Sequence, residues 1–284
     1  MIQEFARAKI NLTLDILGKR EDGYHEVEML MQSLELADVV ELAEISSGVK
    51  LQVEGAEDIP VDEKNLAWKA ALAVQSHCGK NFGVAINLQK KIPQAAGLGG
   101  GSSDAAAVIR GMNRLFNLRL SAEELCEIGA AVGSDVPFCV VGGTCLAKGR
   151  GEILTRLPDF KKFFVVLMKP RGEISTAWSY KTFDELPAEK ISHPPTQEIV
   201  RLLDLDEYES AFAKFGNVLE PVALKKFPAI ERYKEKMFEC GAKFAMMTGS
   251  GPTVFALADD EVTAKKIASS LEGQGAKIFI TKIF

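Results

Sequence analysis

Residues 93–107, PQAAGLGGGSSDAAA, restrict the possible folds of this chain more than any other stretch. Gly97, Gly99, Gly100 and Gly101 crowd together and run straight into Ser102, Ser103, Asp104 and a series of alanines. Glycine has no Cβ, so the backbone here can turn sharply and aim several amide hydrogens at one anion. Ser102 or Ser103 is placed to cap a helix that residues 105–116 would continue, and the free amides at such a helix start make a phosphate site. This reads as the phosphate cradle of a nucleotide-dependent phosphotransferase. Two commoner phosphate loops do not match. A Walker loop needs a lysine directly after its last glycine, and none follows here. A dinucleotide loop, Gly-x-Gly-x-x-Gly, would end on Ser102 if begun at Gly97 and on Asp104 if begun at Gly99.

The rest of the chain supplies the scaffold. With 284 residues it can bury a sizeable core and lies near the size at which one core divides into two. Residues 8–17 alternate, with Ile10, Leu12, Leu14 and Ile16 on one face and Lys9, Asn11, Thr13 and Asp15 on the other. This predicts a strand with one buried face, and it makes Lys9 and Asn11 project the same way. A turn follows over 19–25, marked by Asp22-Gly23 and carrying Tyr24 and His25. Strands are expected over 39–45, 49–53 and 82–88, and a helix over 65–77 with Asn65 as its cap. Ser121 and Glu124 form a capping box for a helix that stops at Gly133. Gly133-Ser134-Asp135-Val136-Pro137 then leads into an apolar stretch, 138–146, expected as a buried strand. Glycine, charge and proline interrupt the pattern over 148–162, which marks a boundary between two units. The second unit reads strand 163–168, helix 175–186, helical segments 196–214 and 228–240, strands 243–247 and 253–257, helix 261–271 and strand 277–280. Apart from the inserted helices this is β-α-β-β-α-β, a ferredoxin-like plan in an α+β chain.

Composition removes several function classes. Lysine and arginine number 34 against 39 acidic residues, a net charge of -5, which opposes bulk nucleic-acid binding. No apolar run reaches membrane-spanning length, so no membrane partner is expected. The five cysteines have no close pairing and fit a reducing, cytoplasmic setting, while three histidines are too few for a histidine-rich metal centre.

Phosphoryl transfer to an alcohol also needs a group to orient or deprotonate the hydroxyl. Asp135 is the carboxylate best placed by context, and Lys9 beside it would favour the ionised form and steady developing charge. The same residues also suit a turn cap and a half-exposed strand lysine. Tyr24 and His25, exposed together, could stack on a base and hydrogen-bond its edge, or could pack down and face solvent respectively. Asp104 suits the first turn of a helix by its charge alone, with an approach to phosphate-held magnesium as the alternative. A second glycine cluster, Thr248-Gly249-Ser250-Gly251-Pro252, is either a ligand-approaching loop or a tight hairpin turn.

Taken in order, Ala8-Lys9-Ile10-Asn11-Leu12, Asp22-Gly23-Tyr24-His25, the Gly-rich stretch from Pro93, Gly133-Ser134-Asp135-Val136-Pro137 and Gly249-Ser250-Gly251-Pro252 resemble the GHMP kinase superfamily of small-molecule kinases. The resemblance spans nearly the whole chain and is weakest over 191–237. It implies a ribosomal-S5-like first domain, 1–152, that binds ATP and carries the catalytic residues, and a ferredoxin-like second domain, 153–284, that closes the cleft. It further implies transfer of the γ-phosphate of ATP, with Mg2+, to a small alcohol carrying a cytidine diphosphate group. In that pattern Asp135 is the base and Lys9 its partner, and Asn11 holds the alcohol end. Tyr24, His25 and, by a looser match, Tyr180 recognise cytosine. Asn65 and Lys90 belong to the nucleotide pocket, and Pro93, Gly97, Leu98, Gly99, Gly100, Gly101, Ser102 and Ser103 to the triphosphate loop. The magnesium ligands and the oligomeric state are left unassigned. Another kinase of the superfamily, acting on a mevalonate-type acid or a sugar, and a non-catalytic nucleotide- or RNA-binding module are the alternatives. Tyr24-His25 opposes the other kinases, because a cytidine-bearing substrate has a use for that pair and a small acid or sugar has none, while the acidic balance and the Lys9/Asp135 pair oppose the module.

Overall fold

The computed structural model describes residues 1–56 and 58–284. Its spine is a long antiparallel hairpin, β1 (Ile2–Lys19) and β2 (His25–Glu44), joined through the turn that carries Asp22 and Gly23. Then follow β3 (Val49–Glu54), α1 (Leu66–Cys78), β4 (Val84–Gln89), α2 (Gly100–Leu115), α3 (Ala122–Val132), α4 (Val136–Val141), β5 (Thr144–Lys148) and β6 (Ile153–Arg156). β1 occupies one edge of β2, and β4 and β5 lie end to end on the other, giving the order β3-β4-β2-β5-β6 with β1 beside β2.

α1, α2 and α3 cover one face of this sheet. Ala105, Ala106 and Ala107 are fully buried, and their small side chains let α2 lie close over Val40, Leu42, Ile86 and Leu88. Asn65 caps α1 through its side chain, and the capping box at Ser121 and Glu124 starts α3, both as the sequence predicts.

The second sheet is built from β7 (Phe164–Pro170), α5 (Thr176–Phe183), α6 (Thr196–Asp204), α7 (Tyr208–Phe212), α8 (Glu220–Leu224), α9 (Ala229–Glu239), β8 (Phe244–Met247), β9 (Val254–Ala258), α10 (Glu261–Leu271) and β10 (Ala276–Lys282). Its order, β10-β7-β9-β8 with all pairs antiparallel, is that of a ferredoxin-like unit; α9 and α10 pack on it, and α5 to α8 form the inserted helices.

Three sequence expectations need correction. Residues 153–156 pair with β5 and so belong to the first sheet, not to the second unit that begins at 153 in the sequence reading. Residues 138–141, expected as the start of a strand, belong instead to the helix 136–141, because Pro137 suits a first helical turn and the positive φ of Gly142 and Gly143 delays the strand to Thr144. Both faces of β1 are buried, since Lys9, Asn11, Thr13 and Asp15 are each at most 5% exposed. The hairpin runs between the two sheets: Ile10 and Leu12 join a core with Phe163, Leu167 and Phe255, and Leu14 and Ile16 join one with Val166 and Met247.

Candidate active site

The site is assembled where β1 passes beneath the glycine-rich loop. The Lys9 amide donates to the Leu98 carbonyl at 3.0 Å, pinning the loop to the strand. Gly97 and Gly99 both adopt left-handed φ values, +71° and +70°, which L-residues reach only at a cost. Gly99 is itself the cap of α2, so Ser102 and Ser103 lie inside the first turn and neither caps the helix. A capping side chain at position 99 itself is ruled out, since its Cβ would lie 2.9 Å from Lys9 Cγ.

The loop residues divide by what remains free. Gly97, Gly99 and Ser102 line a cleft of about 750 Å³. Leu98 is buried, and the side chain of Ser103 turns away from the cleft to donate to the Arg7 carbonyl at 2.5 Å. The Ser103 amide is also committed, to the Gly99 carbonyl. Gly100 and Gly101 form the first turn of α2.

Lys9 and Asp135, more than 120 positions apart in the chain, meet across this cleft. The Lys9 ammonium donates to Asn11 Oδ1 at 2.7 Å and lies 3.4 Å from Asp135 Oδ2. Lys9 is 5% exposed, whereas the Asp135 side chain is 32% exposed, so the cation is fixed within the protein and the carboxylate faces the cleft. Asn11 is held from both ends: its amide hydrogen goes to Thr248 Oγ1 at 2.9 Å, and its side-chain nitrogen contacts Met29 Sδ at 3.3 Å. The second glycine cluster therefore packs against the first. A Cβ at Gly97 would lie 2.6 Å from the Thr248 carbonyl oxygen, and one at Gly249 3.1 Å from the Gly97 carbonyl. Gly249 and Ser250 also line the cleft, so this loop is more than a hairpin turn.

An aromatic group lines the same cleft. His25 and Tyr180 have ring centroids 4.9 Å apart, tilted at 42°. Tyr24 is 52% exposed, and the Arg150 guanidinium stands 5.0 Å over its ring. Burial, together with the charge of Asp135, pushes the Tyr180 phenol above its usual range, so it stays neutral.

Two predicted nucleotide-pocket side chains are committed elsewhere. Asn65 spends its oxygen on the Ala67 amide and its nitrogen on the Pro60 carbonyl. Lys90 is buried between Asp38 and Asp104, with both of which it pairs, while it and Pro93 border a separate groove of about 780 Å³ beside Gly55 and Phe279. Burial opposes the Lys90 charge, yet the two carboxylates outweigh it and raise the ammonium above its usual value. Burial also pushes the Asp104 carboxyl up to about 7, with the charge of Asp38 adding to it and Lys90 opposing. Asp104 is thus a buried partner of Lys90 and not a charge serving the helix end, which corrects the simpler reading.

Sequence reasoning passed over Lys19, Arg150, Lys181 and Asp184, which also line the cleft. No short motif marks them. Arg150 sits in a Gly-Arg-Gly turn inside the presumed linker, and the other three are ordinary polar residues of a turn and a helix.

Comparison with known proteins decides the family. The GHMP kinases N terminal domain model matches residues 65–143 and the GHMP kinases C terminal model residues 190–277. The 4-diphosphocytidyl-2-C-methyl-D-erythritol kinase of Listeria welshimeri is 45% identical over 277 residues, covering 98% of this chain and 94% of its own. The chain belongs to this kinase family within the GHMP superfamily. A crystal structure of a 4-(cytidine 5'-diphospho)-2C-methyl-D-erythritol kinase superposes with a TM-score of 0.83 at 31% identity, covering 99% of both chains. The homoserine kinase of Cytophaga hutchinsonii reaches a TM-score of 0.78 at 21% identity, covering 99% of this chain and 94% of its own, and shares the fold. As a GHMP kinase the protein is an ATP-dependent phosphotransferase, and among its described residues no helix is long and apolar enough to cross a membrane.

Proposed function

We propose that the protein transfers the γ-phosphate of ATP to the 2-hydroxyl of 4-diphosphocytidyl-2-C-methyl-D-erythritol, the phosphorylation step at that intermediate in the non-mevalonate route to isoprenoid precursors. The observation that carries this reading is one cleft lined both by a phosphate cradle with the Lys9–Asp135 pair and by Tyr24, His25 and Tyr180. A base linked through a diphosphate to a short polyol has the chemistry to meet both groups, with Arg150 and Lys181 also lining the cleft for its phosphates.

In the reaction the substrate hydroxyl oxygen attacks the γ-phosphorus while the bond to the β,γ-bridging oxygen breaks and ADP departs. The hydroxyl proton passes to an Asp135 carboxylate oxygen. Lys9, held by Asn11 in a nearly dry position beside that carboxylate, offsets charge building on the transferred group. Amides of the Gly97–Gly101 segment and the N-terminus of α2 receive the triphosphate. Among the described residues no group of three His, Cys, Asp or Glu side chains could hold a metal, and Asp104 is turned inward onto Lys90. That donor set fits a magnesium ion carried by the nucleotide's own phosphates, with the Ser102 hydroxyl as the protein oxygen at hand. When bound, the ion neutralises charge on the β and γ phosphates.

The test is an ATP-coupled assay that compares the cytidyl-linked erythritol with mevalonate, homoserine and free sugars. Turnover confined to the first is expected, and equal or better use of an acid or sugar refutes the assignment. Asp135→Ala should keep ATP binding and lose roughly 10²–10⁴-fold in turnover.

A further inference from the structure

Asp184 stands just beyond the C-terminal end of α5, one turn after Tyr180, and its amide donates to the Tyr180 carbonyl at 3.0 Å. Its two oxygens are both taken by the β1–β2 hairpin. Oδ1 lies 2.6 Å from His25 Nε2, and Oδ2 accepts from the Lys19 ammonium at 3.1 Å. The carboxylate therefore ties the helix bearing one aromatic of the cleft to the turn bearing the other two. Partial burial acts to raise the Asp184 carboxyl, but the hydrogen bonds from His25 and Lys19 outweigh it and hold the group below the usual carboxylate range. An ionised carboxylate only accepts, so a contact of 2.6 Å to a ring nitrogen requires the proton to reside on Nε2. In the neutral ring that leaves the lone pair on Nδ1, and among the described residues no protein group is hydrogen-bonded to it.

We propose that Asp184 is a positioning residue that fixes the Nε2–H tautomer of His25, so that Nδ1 selects a base bearing an exocyclic amine over one bearing a carbonyl oxygen. The inference rests on the reading above that the base lies beside Tyr24, His25 and Tyr180. Cytosine presents its N4 amine as a donor where uracil presents the acceptor O4. A lone pair fixed on Nδ1 is satisfied by the first and repelled by the second. A freely tautomerising imidazole could donate to O4 as readily as it accepts from N4, and would lose that distinction. Lys19 contributes by occupying the second oxygen, which stops the carboxylate from turning away from the ring.

Asp184→Asn tests this, because an amide can accept from Nε2–H or donate to a bare Nε2 and so no longer sets the tautomer. Kinetics are measured with the cytidine substrate and its uridine analogue for the wild type, Asp184→Asn, Asp184→Glu and His25→Ala. Asp184→Asn is expected to raise KM for the cytidine substrate and to cut the cytidine-to-uridine ratio of kcat/KM by about tenfold. KM for ATP should stay in place, and Asp184→Glu should recover most of the ratio. A nitrogen-15 correlation spectrum, simplified by there being only three histidines and recorded where the ring is neutral, should show the Nε2–H tautomer of His25 in the wild type and a tautomer mixture in Asp184→Asn. A His25 protonated on Nδ1 in the wild type overturns the proposal. So does an unchanged base ratio in Asp184→Asn when His25→Ala does raise KM for the cytidine substrate. If His25→Ala leaves that KM alone, the cytosine site itself is misplaced and base selection by Asp184 falls with it, while the tautomer measurement still shows whether Asp184 orders the ring.

Discussion

Replacing Gly99 by alanine should slow the chemical step more than it weakens ATP binding. Gly99 has φ +70°, and a Cβ built there lies 2.9 Å from Lys9 Cγ and 3.3 Å from Lys9 Cε. The left-handed backbone alone costs an L-residue about 1–2 kcal/mol. Relief of the contact then requires Lys9 to withdraw from 2.9 Å to the 3.4 Å at which van der Waals contact becomes ordinary. Lys9 has little freedom to do so, since its amide is bound to Leu98 and its ammonium to Asn11 at 2.7 Å. The displacement therefore passes to Nζ, which stands 3.4 Å from Asp135. A misplacement of about 1 Å at a catalytic group costs roughly 10²-fold, so a shift of half that size is worth roughly tenfold in kcat. The melting temperature should drop by about 2–8 °C for the backbone strain. Gly101→Ala is the comparison: its φ is ordinary and its nearest neighbour is Leu66 Cδ1 at 3.5 Å, so any effect should fall on KM for ATP. Single-turnover rates at saturating substrates, with thermal melts, separate the two. A folded Gly99→Ala enzyme with kcat within twofold of wild type would refute the coupling between cradle and ammonium.

Gly97→Ala should destabilise more, by roughly 2–5 kcal/mol in chemical denaturation, because positive φ combines with overpacking. Its clash is with the Thr248 carbonyl at 2.6 Å, and a backbone atom cannot rotate aside. Tyr24→Ala should raise KM for the cytidine substrate by roughly tenfold through lost stacking, with KM for ATP unchanged; equal losses in both would count against the base site. The Asp104 carboxyl, raised by burial to about 7, binds a proton in the folded state at pH values where the unfolded chain has released it. Its contribution is thus full below its ordinary range and is lost as pH rises through 7, at no more than about 1.4 kcal/mol per pH unit. Asp104→Asn should flatten that fall in a series of melts between pH 5 and 8, and an unchanged slope would rule the group out.

What the sequence displays, and what it conceals, follows from the range of the interaction involved. The caps at Asn65 and Ser121 were readable because donor and acceptor lie within a few residues of each other. The β-α-β-β-α-β order of the second sheet was readable because each element carries its own hydrophobic period. The burial of Lys9, Asn11, Thr13 and Asp15 was not, because it depends on what the second sheet lays over β1. Periodicity can tell that two faces of a strand differ, but not that the polar face is also covered. The same limit explains Lys90 and Asp104: each has an adequate local explanation, and only the approach of Asp38 from β2 makes them a buried ionic group.

The loop geometry shows why that concealment coincides with the chemistry. Gly97 touches the Thr248 carbonyl, Asn11 accepts Lys9 while donating to Thr248, and Lys9 fills the space a Cβ at Gly99 would need. The phosphate cradle, the ammonium and the second glycine loop are therefore one packed unit, and none can be displaced without moving another. A shift of the second sheet against the first would act through Thr248 and Asn11 on Lys9 Nζ. It follows that Thr248→Val, which keeps the volume but removes the acceptor for the Asn11 amide, should lower kcat although it touches neither the nucleotide nor the alcohol. The loss should be roughly five- to thirtyfold, the range expected from about 1–2 kcal/mol for an unpaired buried amide. Pre-steady-state phosphoryl transfer measures it directly. A wild-type rate in a correctly folded Thr248→Val protein would mean that Lys9 is held by Asp135 and the loop alone, with the second sheet serving only to close the cleft.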